Sequence, residues 1–210
     1  MEIEQRSNEW FDQRAGRFTA SRISELLGVK GFGLTGEGYI FEKAIEIAVG
    51  RDEEGTFESY DMRRGNELEP LAFDMFKERK ELDFIDVKKA EFFPYKDYGG
   101  ASPDGLVGED EILEIKCPRP KKFFNLVANG FDAIDKGYID QMQMQMLCTN
   151  SKGCYFFNYI IYNGKPLGYE IYVPRDEERI KFIEKRMIEA LDLREYYVRS
   201  ILDNLEMNGL

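Results

Sequence analysis

Asp104 and, ten residues further on, Glu114 with Lys116 are the side chains of this sequence best suited to chemistry. The spacing predicts a strand over Ile112 to Cys117, with Gly108-Glu109-Asp110 as the turn that joins it to Leu106-Val107. Side chains alternate along a strand, so Glu114 and Lys116 share one face while Leu113, Ile115 and Cys117 share the apolar other. The hairpin folds Asp104 back toward Glu114. Two carboxylates held together raise each other's pKa unless a cation lies between them. Mg²⁺ takes carboxylate, carbonyl and water oxygens. A lysine beside the ion can orient an attacking water and help lower its pKa. Such a set suffices for metal-dependent hydrolysis. On spacing alone, a surface hairpin with a Glu–Lys pair stands beside that reading.

Composition narrows the chemistry. The chain of 210 residues has no histidine. Histidine-based zinc sites, Ser-His-Asp and Cys-His triads are therefore excluded, and catalysis rests on carboxylates, Lys, Arg, Tyr, Gln or Cys. Cys117, Cys148 and Cys154 form no CxxC, and three thiols cannot close a four-thiolate zinc or iron–sulfur site. They read as reduced thiols of a cytoplasmic protein. Forty acidic against 29 basic residues give a net charge of −11. This excludes a uniformly basic coat but not a local basic cleft. Apolar residues make up 43% and aromatics 14%, enough for a core. The N-terminal stretch Met1 to Phe11 has no apolar leader, and Tyr155 to Tyr162 is too short to cross a bilayer.

The positioning elements follow from periodicity. Residues 8–28 read as helices around a tight connection, Gly28 to Gly38 as a glycine-rich loop, and Tyr39 to Val49 as a helix. Leu68, Leu71, Ala72, Met75 and Phe76 predict an amphipathic helix with Pro70 in its first turn or at a kink. Strands are expected at 90–95, 99–101 and 112–117. A helix over 134–147, strands at 154–162 and 168–173, and a long helix over 175–207 complete the order. This is an α/β fold, one domain over 1–210, with a mixed central β-sheet flanked by helices.

Ser102-Pro-Asp-Gly105 with Leu113-Glu-Ile-Lys-Cys-Pro118 resembles the active-site signature of the phage lambda exonuclease family, the YqaJ-like viral recombinases. That family lies within the PD-(D/E)xK nucleases and has a restriction-endonuclease-like core. Four further stretches resemble it in order: Arg14 to Ser21, Gly65 to Glu69, Gly130 to Gln143, and Tyr155 to Tyr159. The resemblance implies that Asp104, Glu114 and the Ile115 carbonyl hold metal and that Lys116 holds the nucleophilic water. Glu69 joins the metal site, directly or through water. Asn66 and Glu69 also fit a capping box, which is the structural alternative. Alignment on Tyr138 and Gly130 selects Gln143 as the active-site glutamine, although Gln141 and Gln145 share the opposite helical face. Arg14, Ser21 and Ser102 resemble a pocket that grips a 5′-phosphate. Lys136 lies one residue beyond Asp135, which aligns with that pocket's lysine. Trp10 resembles a family tryptophan and reads as core.

The implied activity is 5′-to-3′ exodeoxyribonucleolysis of linear duplex DNA. It releases 5′-mononucleotides and leaves a 3′ single strand for recombination by annealing. The resemblance implies Mg²⁺, with Mn²⁺ as a substitute and two ions per site, a ring-shaped homotrimer and a single-strand annealing partner. The basic runs Lys116 to Lys122 and Arg14 to Lys30 are candidates for lining a DNA channel. The competing readings are a related endonuclease, a junction resolvase, or a non-enzymatic acidic DNA mimic or binding module.

Overall fold

The computed structural model describes residues 7–52 and 59–207. Among these residues are two sheets, six α-helices and two short 3₁₀ helices, Ala20–Leu26 and Gly130–Ala133. The larger sheet has five strands: β2 (Val87–Lys88), β5 (Gly105–Val107), β6 (Glu111–Lys116), β7 (Gly153–Tyr162) and β8 (Lys165–Pro174), side by side in that order. Only the β6–β7 pair is parallel; the other three pairs are antiparallel. The sheet is thus mixed, as expected. A smaller sheet orders β1 (Phe18–Thr19), β4 (Gly99–Ala101) and β3 (Phe93–Tyr95).

The helices are α1 (Asn8–Arg14), α2 (Gly33–Val49), α3 (Tyr60–Leu82), α4 (Pro120–Asn129), α5 (Lys136–Thr149) and α6 (Glu177–Met207). Alternation along β6 sorts its residues as the sequence demands. Leu113 and Ile115 pack with Phe73 and Phe76 of α3, whereas Ile112 packs with Met142 and Met146 of α5. Glu114 and Lys116 therefore turn toward α5. The parallel β6–β7 pair requires a long crossover, which α4 and α5 supply.

Several boundaries differ from expectation. The glycine-rich stretch is a loop only as far as Phe32, because α2 takes in Gly33, Gly36 and Gly38. Helix α3 starts at Tyr60, where the Ser59 side chain accepts from the Met62 amide. Pro70 is consequently an interior residue, placed on the exposed side. Asn66 is interior as well, which removes the capping box and leaves Glu69 for other work. Helix α4 was not expected. Pro118 and Pro120 read as strand breakers, yet Pro120 opens the helix, where its missing amide hydrogen costs nothing.

The long final helix is real and unbroken, 31 residues or roughly 45 Å. Its Ile183, Met187 and Ala190 join Phe18, Ile23, Leu26 and Ile40 in one core. Two buried arginines tie it to the N-terminal segment. Arg186 donates to the Leu26 carbonyl at 2.9 Å, and Arg194 to the Gly16 carbonyl at 2.7 Å. Gly16 has φ of 70°, and a Cβ there would sit 2.6 Å from Ile47. Its amide donates to Glu46 of α2 at 2.7 Å.

Candidate active site

The antiparallel pairing of β5 with β6 sets Gly105 opposite Leu113, so Asp104 arrives beside Glu114. The Asp104 amide donates to the Leu113 carbonyl at 2.9 Å, and its Oδ2 accepts from the Ile115 amide at 2.6 Å. Glu114 is 2% exposed. A carboxylate so buried must be paired, and three donors meet it. Lys116 and Gln141 donate to Oε1, the latter at 2.7 Å, and Gln145 donates to Oε2 at 2.6 Å. Glu69, from α3, faces the same cleft with Lys89 3.9 Å away.

Burial, then the charges of Glu114 and Glu69, hold the Asp104 carboxyl well above the usual carboxylate range. Burial alone would lower the Lys116 ammonium. The charges of Glu114 and Asp104 and the hydrogen bond to Glu114 outweigh it, so Lys116 sits above its ordinary pKa. Lys116 is thus an ammonium at neutral pH, able to donate and unable to accept a proton. Cys117 also lines the cleft, but burial pushes its thiol up to about 12, which leaves it a poor nucleophile.

The Asp104 shift predicts a pH dependence for the ion-free protein. An acid whose folded pKa is raised keeps its proton where the unfolded chain has lost its own. Stability then falls as pH rises from about 4, the ordinary aspartate value, toward the raised one. Asp104→Asn should flatten that slope. Urea midpoints measured between about pH 4 and about pH 8 test this; an unaltered slope would place the responsible carboxyl elsewhere.

Arg14, Ser21 and Ser102 come together although 88 residues separate the first from the last. Arg14 donates to the Ser102 and Ser21 hydroxyls, both at 3.4 Å, the long end of hydrogen bonding. Its guanidinium lies 4.0 Å from the Trp10 ring centre, and the Trp10 indole donates to Ser102 at 3.0 Å. Trp10 is therefore part of this cluster and not core. Burial lowers Arg14 to about 10, against the opposing pull of Tyr39 and Glu46. A largely desolvated cation whose side-chain hydrogen bonds, among the described residues, are long ones to two hydroxyls is suited to an anion.

The cleft onto which Trp10 and Lys116 open has a volume of about 1060 Å³ and is also lined by Phe11, Glu69, Ile115, Lys122 and Tyr138. Two expected residues lie away from both the Glu114 cluster and this cleft. Gln143 faces the other way: its Nε2 donates to the Pro174 carbonyl at 2.9 Å, and its Oε1 accepts from the Asp176 amide at 2.8 Å. It ties β8 to α6. Gln141 and Gln145 replace it at Glu114, on the helical face opposite to it. That face was legible; which side it turned to the sheet was not. Lys136 lines a separate depression with Phe131, Ile139, Asp140 and Arg179. Lys122 is the α4 lysine in the cleft, over the Tyr138 ring at 4.5 Å and bonded to Asp135.

The two basic runs are only partly available to a ligand. Arg22 is held by Glu25 and Glu42, and Arg17 donates to the Lys96 and Gly99 carbonyls. Arg119 pairs with Asp61 at the surface.

Among the described residues no three acidic, cysteine or histidine side chains converge closely enough to hold an ion by themselves. Mg²⁺ does not require three. It is usually held by one or two carboxylates and completes its shell with water. Asp104 and Glu114, with main-chain oxygen at hand, are hard donors of that kind. Asp104's raised pKa marks the site as short of positive charge. The residues present fit a divalent ion.

Residues 9–152 match the model of the YqaJ-like viral recombinase domain. An alkaline exonuclease (LHK-Exo) from Laribacter hongkongensis is 28% identical, with a TM-score of 0.82 over 96% of this chain and 99% of that one. A second structure of LHK-Exo, in complex with dAMP, is 29% identical with the same TM-score over the same shares. A phage-related exonuclease from Haemophilus somnus 129PT is 19% identical, with a TM-score of 0.65 over 89% of this chain and 96% of that one, and shares the fold. Comparison with curated proteins finds no match. No helix among the described residues is long and apolar enough to cross a membrane.

Proposed function

Because the chain belongs to the YqaJ-like viral recombinase family, we propose that it is a Mg²⁺-dependent 5′-to-3′ exodeoxyribonuclease acting on the ends of linear duplex DNA. One observation carries the proposal. An anion receptor built from Arg14, Ser21, Ser102 and Trp10 opens beside the Asp104–Glu114–Lys116 site, through Ser102, two residues before Asp104. The distinction between a chain end and an internal phosphodiester is a terminal phosphate, and the receptor suits one. The dAMP complex of LHK-Exo supports a mononucleotide product.

In this mechanism Asp104, Glu114 and the Ile115 carbonyl would hold a divalent ion, Mg²⁺ or Mn²⁺, and Glu69 would join them directly or through water. Bound there, the ion supplies Lewis-acid stabilisation of charge on the scissile phosphate. Lys116, as an ammonium, orients the nucleophilic water and offsets negative charge that develops during attack. It takes no proton. Arg14 pairs with the terminal phosphate, Ser21 and Ser102 donate to it, and Trp10 keeps the guanidinium plane in place. Lys122 and Tyr138, at the cleft wall, are placed for a neighbouring phosphate.

A duplex with one 5′-phosphorylated and one 5′-hydroxyl end, digested with and without Mg²⁺, tests the reading. The phosphorylated end should be consumed first, with release of mononucleotides, and closed circular DNA should persist. Cutting of closed circles would favour an endonuclease instead. Loss of all release in Asp104→Ala separates an enzyme from a DNA-binding module.

A ring-shaped homotrimer and a single-strand annealing partner belong to the same proposal. Light scattering should give about three times the 24.5 kDa chain mass. A monomer at micromolar concentration that still digests processively would remove the ring.

A further inference from the structure

Helix α5 carries Gln141 and Gln145 one turn apart, and each reaches a different oxygen of Glu114. Gln145 is 1% exposed. Its amide nitrogen is engaged, while its Oε1 has no hydrogen-bond partner. Burying an unpaired carbonyl is unfavourable, and methionine or leucine would fill the same space without one. The residue is therefore held for its nitrogen. Donors on both oxygens pin the carboxylate plane of Glu114, which a single donor would leave free to rotate.

The two common divalent cations respond differently to such a restraint. Mg²⁺ demands near-ideal octahedral geometry with short bonds. Ca²⁺ accepts flexible geometry and takes a carboxylate through one oxygen or both. A pinned carboxylate favours the first and withholds from the second the rotation that two-oxygen ligation needs. We infer that Gln145 is a positioning residue that fixes the Glu114 carboxylate and makes the site select Mg²⁺ over Ca²⁺. The inference rests on the reading of Asp104 and Glu114 as the ion-holding pair.

The test is calorimetric titration of chelator-treated full-length protein with MgCl₂ and, separately, CaCl₂, for wild type, Gln145→Met and Gln143→Met. Partners behind a metal ligand are worth about 10- to 100-fold in affinity. Gln145→Met should weaken Mg²⁺ by about tenfold and Ca²⁺ by less than about threefold. Gln143→Met serves as the comparison, because Gln143 is equally buried yet bonds to the Pro174 carbonyl and the Asp176 amide. It should lower the melting temperature and leave the ratio of the two affinities unchanged. If Gln145→Met does not fold, Gln145→Asn replaces it, with a shift in the same direction. Equal losses for both ions, or none, would overturn the role of Gln145. Failure of the wild type to bind either ion would overturn the ion-holding pair itself.

Discussion

Lys116→Ala is expected to lose strand hydrolysis by about 10²- to 10⁴-fold, the range for a positioned group acting on the reacting water. Duplex binding and Mg²⁺ binding should remain close to wild type. The reason is a division of labour. In the proposed mechanism Asp104 and Glu114 hold the ion, whereas Lys116 donates to Glu114 and faces the cleft. Removing it takes one donor of three from Glu114 and leaves Gln141 and Gln145 in place. Single-turnover rates, an electrophoretic binding assay and calorimetry with Mg²⁺ check the three quantities. A loss of DNA affinity as large as the loss of rate would make Lys116 a phosphate clamp.

Arg14→Ala should slow digestion of 5′-phosphorylated ends by about ten- to a hundredfold, since one charge-assisted hydrogen bond is worth roughly 1.5–3 kcal/mol. On 5′-hydroxyl ends the same variant should lose far less, because the partner of the guanidinium is already missing. The long 3.4 Å bonds to Ser21 and Ser102 imply that these hydroxyls do not saturate Arg14. Burial that lowers its pKa to about 10 makes an arriving dianion more welcome. A two-by-two comparison of protein and substrate reads the effect. Equal losses on both ends would mean that Arg14 does not read the terminal phosphate.

The sequence was most informative where geometry is local. Alternation along Glu111–Lys116 correctly put Glu114 and Lys116 on one face, and the hairpin correctly returned Asp104 to them. The 3.6-residue period correctly set Gln141 and Gln145 opposite Gln143. It could not say which of the two faces met the sheet, because every residue from Asp140 to Met146 is buried and the helix has no polar side to exclude. Resemblance then selected Gln143, which the structure turns away from Glu114. Lys136 failed for a similar reason. One residue is about 100° on a helix, enough to move a side chain from the cleft to a neighbouring depression. Helix α4 was hidden by proline, a breaker inside a helix and a good first residue of one. Trp10 was legible only as an aromatic near a helix start; its partner Ser102 lies 92 residues away.

The anchoring of Gly16 by Arg194 has a consequence for the order in which the protein is made. The segment that carries Arg14 leaves the ribosome early, but the guanidinium that secures its glycine is residue 194 of 210. Until helix α6 emerges, the Gly16 carbonyl lacks Arg194, and the core around Phe18, Ile23 and Leu26 lacks Ile183, Met187 and Ala190. The hairpin that carries Asp104 and Glu114, by contrast, needs nothing after β8 to pair its strands. A nascent chain can therefore pair the strands that carry Asp104, Glu114 and Lys116 before Arg194 can reach Gly16.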